Sequence, residues 1–350
     1  MKIECYRHWH HLPASVDLLF ELAGNESMFI TREWFETLYD TTFEEGDDQS
    51  LLLVSVVDQG SVLALLPLIG ANDRWQSFSH RYTAFYNLLL VEEKQAEILA
   101  CLAEGLSQIP IHSLNLNPVA EDDDKMVNLQ QALESFGYKC HQHFSFYNWF
   151  YRSQQQSFDE YMAGRPAILR NTIARKRRKL EREHECKIRM FKDEEVQQGL
   201  MDYHAAYSAS WKANEQYVAL LDAAAINLSV PGWTRLAILY IDGKAAASQL
   251  WFVVQGKASI FRLAYDEEWK HYSPGSILTA YLMKYVIDID NVEEIDFLTG
   301  NEAYKQDWMT VRRQRWGLMF VKQHNSQSNS AMLMTTLKKV FKFIFNKRID

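Results

Sequence analysis

Between Tyr265 and Arg313 the chain gathers side chains able to hold an anion and to move a proton. Ser273-Pro274-Gly275-Ser276 opens a run in which Ile277, Leu278, Tyr281, Leu282, Tyr285, Val286 and Ile289 fall on one stripe of a helix. A helix start leaves backbone N–H groups unpaired and partially positive, and a glycine there lets an anion approach closely. The amides of Gly275, Ser276 and Ile277 are therefore candidates to hold a phosphate. The simpler alternative is a tight turn with Ser273 or Ser276 as the cap. Downstream, Asp296 and Glu302 are carboxylates that burial would turn into general bases near neutral pH, and His271 is a third candidate. Lys305, or backbone amides near Tyr265, would serve a developing oxyanion. Each has a plainer reading: Asp296 capping its strand, Glu302 pairing with Lys305 on the surface, Tyr304 in the core.

The elements that must position these residues can be read from periodicity. Ser259 to Tyr265 alternates apolar and polar residues as a half-buried strand does, Glu293 to Thr299 is a short strand, Gly300 to Met309 a polar-aromatic helical turn, and Arg315 to Val321 another strand. Ahead of them, Arg235 to Ile241 and Ala245 to Val254 are strands joined at Asp242-Gly243, with a second turn at Gln255-Gly256. The first half repeats the order. Leu51 to Val57 and Ser61 to Ile69 form a hairpin across Asp58-Gln59-Gly60, Tyr82 to Val91 supplies a third strand, Lys94 to Gln108 a helix and Ile111 to Asn117 a further strand. The helix after Val91 opens with Glu92-Glu93-Lys94-Gln95 and offers no glycine, so only the second copy is expected to hold a cofactor.

Charge is segregated. From Arg165 to Lys192 there are eleven Lys or Arg against three Glu, a local balance of +8 in a chain whose 37 basic and 45 acidic residues sum to −8. Pro166 suits a first helical turn, and Leu169, Ile173 and Leu180 give that helix a narrow apolar stripe. Its exposed cations, Arg175 and Arg178 among them, either balance the acidic remainder or form a platform for an anionic acceptor or cofactor phosphates. Trp211 and Lys212, after a helix from Tyr203, are candidates to line a cleft.

Tyr272-Ser-Pro-Gly-Ser-Ile-Leu, Asp296-Phe-Leu-Thr-Gly and Glu302-Ala-Tyr-Lys-Gln-Asp-Trp, in this order of elements, resemble the acyl-CoA-binding half of the GNAT N-acyltransferase fold and, more closely, its FemAB-like branch. The basic helix fits that branch as well. The resemblance implies an α/β protein of mixed sheets with flanking helices, built as two tandem GNAT-like lobes. Residues 1–150 are the degenerate lobe, 151–321 the acyl-CoA lobe with its basic entry helix, and 322–350 a polar linker and a basic amphipathic helix. It implies acyl transfer from acyl-CoA, acetyl or longer, to an amine or hydroxyl of a cell-envelope or polysaccharide precursor. The Gly275 loop, with Ser273, Tyr265 and Arg312, would take the cofactor, and Tyr304 would protonate the leaving thiolate. Aminoacyl-tRNA-using members carry a long helical arm for which the segment after Arg182 leaves no room, which argues against tRNA.

Composition narrows the remainder. A chain that is 47% hydrophobic and 23% charged reads as a globular protein, and its acidic balance disfavours DNA as a partner of the whole surface. Four scattered cysteines suggest no disulfide framework, and His8-Trp9-His10-His11 has no companion at ligand spacing, so no metal is expected. The first residues lack the pattern of a secretory signal, which makes the cytoplasm the expected compartment. Residues 331–348 place Leu333, Leu337, Val340, Phe341 and Ile344 on one face and lysines on the other, for docking on the protein or contact with a membrane surface.

Overall fold

Two strand sets laid out on one plan share a single sheet. The computed structural model describes residues 1–42, 49–212 and 215–323. The first set comprises β1 (Lys2–Tyr6), α1 (Asp17–Gly24), α2 (Arg32–Thr42), β2 (Ser50–Asp58), β3 (Ser61–Ala71), β4 (Arg74–Ser77), β5 (Leu89–Leu90), α3 (Gln95–Gln108), β6 (Ser113–Ala120), α4 (Asp124–Ser135) and β7 (Tyr138–Arg152). The second comprises α5 (Phe158–Ala163), α6 (Ala167–Glu183), β8 (Cys186–Phe191), α7 (Val196–Ser208), α8 (Val218–Asn227), β9 (Thr234–Ile241), β10 (Lys244–Val254), β11 (Lys257–Tyr265), α9 (Pro274–Asp288), β12 (Glu294–Thr299), α10 (Lys305–Trp308) and β13 (Val311–Lys322).

The strand order is β1-β2-β3-β4-β6-β13-β7-β12-β11-β10-β9-β8, with β5 beside β3. Read inward from either edge, four antiparallel strands lead to one parallel pairing, β4 with β6 on one side and β11 with β12 on the other. At the centre the lobes exchange their last strands. β13 pairs with β6, β7 pairs with β12, and β7 and β13 pair with each other from Val311 opposite Phe150 to Lys322 opposite Tyr138. The lobes thus follow one another in sequence, but the boundary at residue 150 falls inside a strand whose neighbours both belong to the second lobe.

Local chemistry explains the elements. The hairpin turns place Gln59 and Gly60, Asp242 and Gly243, and Gln255 and Gly256 at positive φ, as two-residue turns matched to strand twist require. β2 is buried from Leu51 to Val57, the mark of a strand covered on both faces. α6 buries Ile173 and Leu180 and keeps its arginines outward. One core runs through both lobes, with Trp34 of α2 meeting Phe261 of β11 edge-on at 6.0 Å; a second lies under α5, α6 and α9. Residues 82–91, expected as a full strand, pair only at Leu89 and Leu90. The backbone there is satisfied otherwise: the Tyr86 N–H donates to the Pro118 carbonyl and its hydroxyl to that of Pro67, each at 2.6 Å. The amphipathic segment 331–348 lies outside the described residues.

Candidate active site

β11 and β12 run together only from Lys257 to Ser259 and then part. On one side β11 carries an extra residue, since Leu250 faces Arg262 while Trp251 faces Ile260, and Phe261 bulges out. On the other, Leu298 adopts a φ of 55°, its N–H donating to Asp296 Oδ1 at 2.6 Å and its carbonyl accepting from Asn148 Nδ2 at 2.8 Å. The divergence opens a cleft of about 190 Å³ lined by Ile260 to Leu263, Phe297 to Thr299, Lys212, Glu302, Tyr304 and Lys305, with Arg81 and Tyr82 contributed by the first lobe.

Four residues marked in the sequence meet there. Lys305 is buried, its Nζ donating to the Thr299 carbonyl at 2.5 Å and the Phe297 carbonyl at 3.4 Å, with Glu302 at 2.9 Å. Glu302 itself stands at the mouth, exposed. Gly300 adopts φ 113°, a backbone conformation that residues with a side chain rarely take, and a Cβ there would also have to displace the exposed Glu302 carboxylate. Tyr304 sets its ring edge-on to Phe297 at 5.7 Å, and burial, with Glu302 nearby, raises its hydroxyl pKa well above that of a free phenol. Lys212 Nζ donates to the Leu263 carbonyl at 2.5 Å; burial, and then the Arg262 charge, pull its pKa down to about 8.

Other candidates stand elsewhere. Asp296 has both oxygens engaged, Oδ1 by the Leu298 N–H and Asn148, Oδ2 by Arg313 Nη2 at 2.6 Å, so it braces the splay and is not free to take a proton. His271 is exposed on the 3-10 turn Glu267–Tyr272, its ring against Tyr272 at 3.9 Å, outside the cleft. Arg312 lies over Tyr147 at 4.2 Å and beside Trp149; β7 and β12 separate its strand from β11, about 14 Å across the sheet, so it does not serve the Gly275 loop. Arg175 and Arg178 are exposed on α6, Arg178 Nε donating to the Ala174 carbonyl of its own helix, and the Trp211 indole is 68% exposed; none lines the cleft.

At the start of α9, Ser273 has φ 56° and Gly275 packs so closely on Tyr265 that a Cβ would lie 3.2 Å from the ring. The Ile277 N–H, expected to be free, is taken by the Ser273 carbonyl at 3.2 Å, because the helix already closes its first turn there. The Gly275 and Ser276 amides have no acceptor among the described residues. These two amides, with a glycine between ring and helix, fit an acyl-CoA phosphate. α6 flanks the same turn, Lys176 Nζ donating to the His271 carbonyl at 2.5 Å and Lys179 lying over the Tyr272 ring at 4.9 Å.

Sequence reading did not find the clamp between the lobes. Glu215, its side chain 4% exposed, accepts from Arg262 Nε at 3.3 Å and from the Tyr82 hydroxyl, while the Arg262 guanidinium stacks on the Tyr82 ring at 3.6 Å. Burial alone would raise the Glu215 pKa, but Tyr82 and Arg262 outweigh it and leave it lowered. In the first lobe the corresponding splay is plugged: Ser77 and Ser79 hydroxyls donate to the Asn117 carbonyl at 2.6 and 3.0 Å, and residues 82–91 cross it. Among the described residues no three His, Cys, Asp or Glu form a group that could hold a metal, and no helix is long and apolar enough to cross a membrane.

Residues 168–306 match the family described as the acetyltransferase (GNAT) domain. The chain has a FemAB-like tandem GNAT fold. It superposes on FemX with a TM-score of 0.64 at 11% identity, over 91% of this chain and 97% of that one. It also superposes on a tandem GNAT protein from the clavulanic acid biosynthesis pathway, with a TM-score of 0.51 at 12% identity over 93% and 100%. A third neighbour is the C-terminal domain of a putative lysylphosphatidylglycerol synthetase from Agrobacterium fabrum, at 0.52 and 12% over 88% and 95%. A comparison with the curated proteins finds no match. In this chain the matched segment spans α6 to the start of α10, and thus contains the α9 start and the cleft residues Lys212, Glu302, Tyr304 and Lys305.

Proposed function

We propose that this GNAT protein transfers an acyl group from acyl-CoA to an amine or hydroxyl of a cell-envelope or polysaccharide precursor. The observation that carries the reading is a splayed strand pair whose cleft holds Lys305, Lys212, Tyr304 and Glu302, close in the fold to a helix start with two unpaired amides. The match of residues 168–306 to the acetyltransferase (GNAT) domain supports acyl transfer, and the FemX and tandem GNAT likenesses support the two-lobed fold that would carry it.

Acyl-CoA would supply an acyl carbon already activated as a thioester. The chain's part is to place the acceptor and manage charge. Glu302 is exposed at the mouth and paired with Lys305, without the burial that would make it a strong base, so the proton the acceptor gives up as the new bond to the acyl carbon forms passes by way of its carboxylate to solvent. Lys305, fixed by two carbonyls, faces the negative charge that develops on the acyl oxygen. Tyr304, whose raised pKa keeps it protonated, donates a hydrogen bond to the sulfur as the carbon–sulfur bond breaks; the same shift makes it a poorer proton donor than a free phenol, so the thiolate takes its proton from solvent.

The test is thermal unfolding of the full chain with CoA, acetyl-CoA and longer acyl-CoA. A donor at a hundred times its dissociation constant stabilises by about 2.7 kcal/mol. No shift with any of them removes the donor assignment. It would leave the second reading, a non-catalytic GNAT fold that binds an anionic polymer through exposed cations such as Arg175 and Arg178.

A further inference from the structure

The four cations lining the cleft are unequally occupied. Arg262 is held by Glu215 and the Tyr82 ring, and Lys305 by Glu302 and two carbonyls. Among the described residues Lys212 donates to the Leu263 carbonyl and lies over the Tyr207 ring at 5.9 Å, and Arg81 donates to the Gln216 side-chain oxygen at 2.7 Å and lies over aromatic rings. Neither has a carboxylate partner among the described residues. Four cations thus face two carboxylates, Glu215 and Glu302, and the two unmatched ones come from different lobes.

We propose that the acceptor carries an oxyanion, a phosphate or carboxylate, which binds between Arg81 of the first lobe and Lys212 of the second. The inference deepens the acceptor side of the reading above and rests on the cleft being the acceptor's place. An ammonium mostly removed from water and repelled by Arg262 is held charged at a cost, and an anion beside it offsets that cost. Arg81 presents a planar donor fork, steadied over the rings of Tyr82 and Tyr217 at 5.9 and 5.8 Å, which suits two oxygens of one group. A cleft with low-dielectric walls and surplus positive charge concentrates such an anion. Anchoring at both lobes would leave the acceptor's amine or hydroxyl few orientations before Glu302 and Lys305, which is where a transferase gains rate.

Sulfate, fully ionised from pH 6 to 9, is the probe, titrated calorimetrically into the full chain at low ionic strength. Saturable binding is expected to weaken about tenfold in R81Q and again in K212Q. Wild-type affinity should fall above about pH 8 as Lys212 loses its proton among Arg262, Glu302, Glu215, Lys305 and Tyr207, whereas K212R should bind well across the range and show no such fall. The charge-retaining variant separates loss of the anion site from loss of folding. Wild-type-like binding by both R81Q and K212Q, or no saturable binding by the wild type, overturns the proposal. If CoA shifts the melting curve while sulfate ignores both substitutions, the donor reading survives and this one fails; if sulfate responds and no acyl-CoA does, the reverse holds.

Discussion

Arg313→Met isolates the brace behind the cleft. Arg313 Nη2 meets Asp296 Oδ2 at 2.6 Å and Glu294 Oε1 at 2.9 Å, and Nε donates to Asn148. The two carboxylates are 13% and 12% exposed, so water replaces the guanidinium poorly. Burial works against the Arg313 charge, yet Asp296 and Glu294 together hold its pKa above the ordinary arginine value. Methionine keeps an unbranched apolar stem and removes the guanidinium, which lies over the Phe150 ring at 4.1 Å. Breaking a buried pair costs about 3–5 kcal/mol, and the residual exposure here reduces the expected loss to ~2–4 kcal/mol at pH 8. Urea unfolding followed by tryptophan fluorescence at pH 8 measures it. A loss under about 1 kcal/mol refutes the reasoning.

Two substitutions in the site separate its tasks. Lys305→Met removes the donor assigned to the acyl oxygen and should lower kcat/KM for acyl transfer by roughly 10²–10³, as loss of one oxyanion donor does, read by thiol release; an unchanged rate would return Lys305 to a purely structural place. Gly275→Val pushes a branched side chain into the Tyr265 ring, which a Cβ alone would approach to 3.2 Å, and should raise KM for the acyl-CoA about tenfold, ~1.4 kcal/mol, while kcat changes little. A KM equal to that of the wild type would mean that the α9 amides hold no phosphate.

What the sequence made legible was local. Hairpins at Asp58, Asp242 and Gln255, the helix from Pro274 and the basic helix with Ile173 and Leu180 inward all follow from periodicity and turn chemistry within a dozen residues. The cleft's partners did not follow, because Tyr82 reaches Glu215 across 133 positions and Arg262 reaches it across 47. Arg312, expected to help the Gly275 loop hold the cofactor, lies on β13, and strand order sets two strands between it and β11, a separation that no local pattern reveals. β7, an uninterrupted 15-residue strand, escaped notice: its polar and aromatic residues face different neighbours along its length, so it shows neither clean alternation nor an apolar run.

The exchange of last strands explains why a lobe with a plugged splay stands beside one with an open cleft. β12, the cleft's far wall, is parallel to β11 for only three residue pairs before it leaves, and a short strand abandoned on one side needs support on the other. That support is β7, which pairs with Glu294 to Asp296 and again at Thr299, and whose Asn148 takes hold of Asp296 and the Leu298 carbonyl at the bend. The first lobe also sends in Arg81 and Tyr82, so two of the residues facing the cleft and the strand bracing its wall lie ahead of the matched family segment. A splay kept open at its mouth must be closed at its back, and here a strand from the other lobe closes it. The first lobe's loss of its own cleft therefore costs the protein no site, provided that β7, Arg81 and Tyr82 stay where they are.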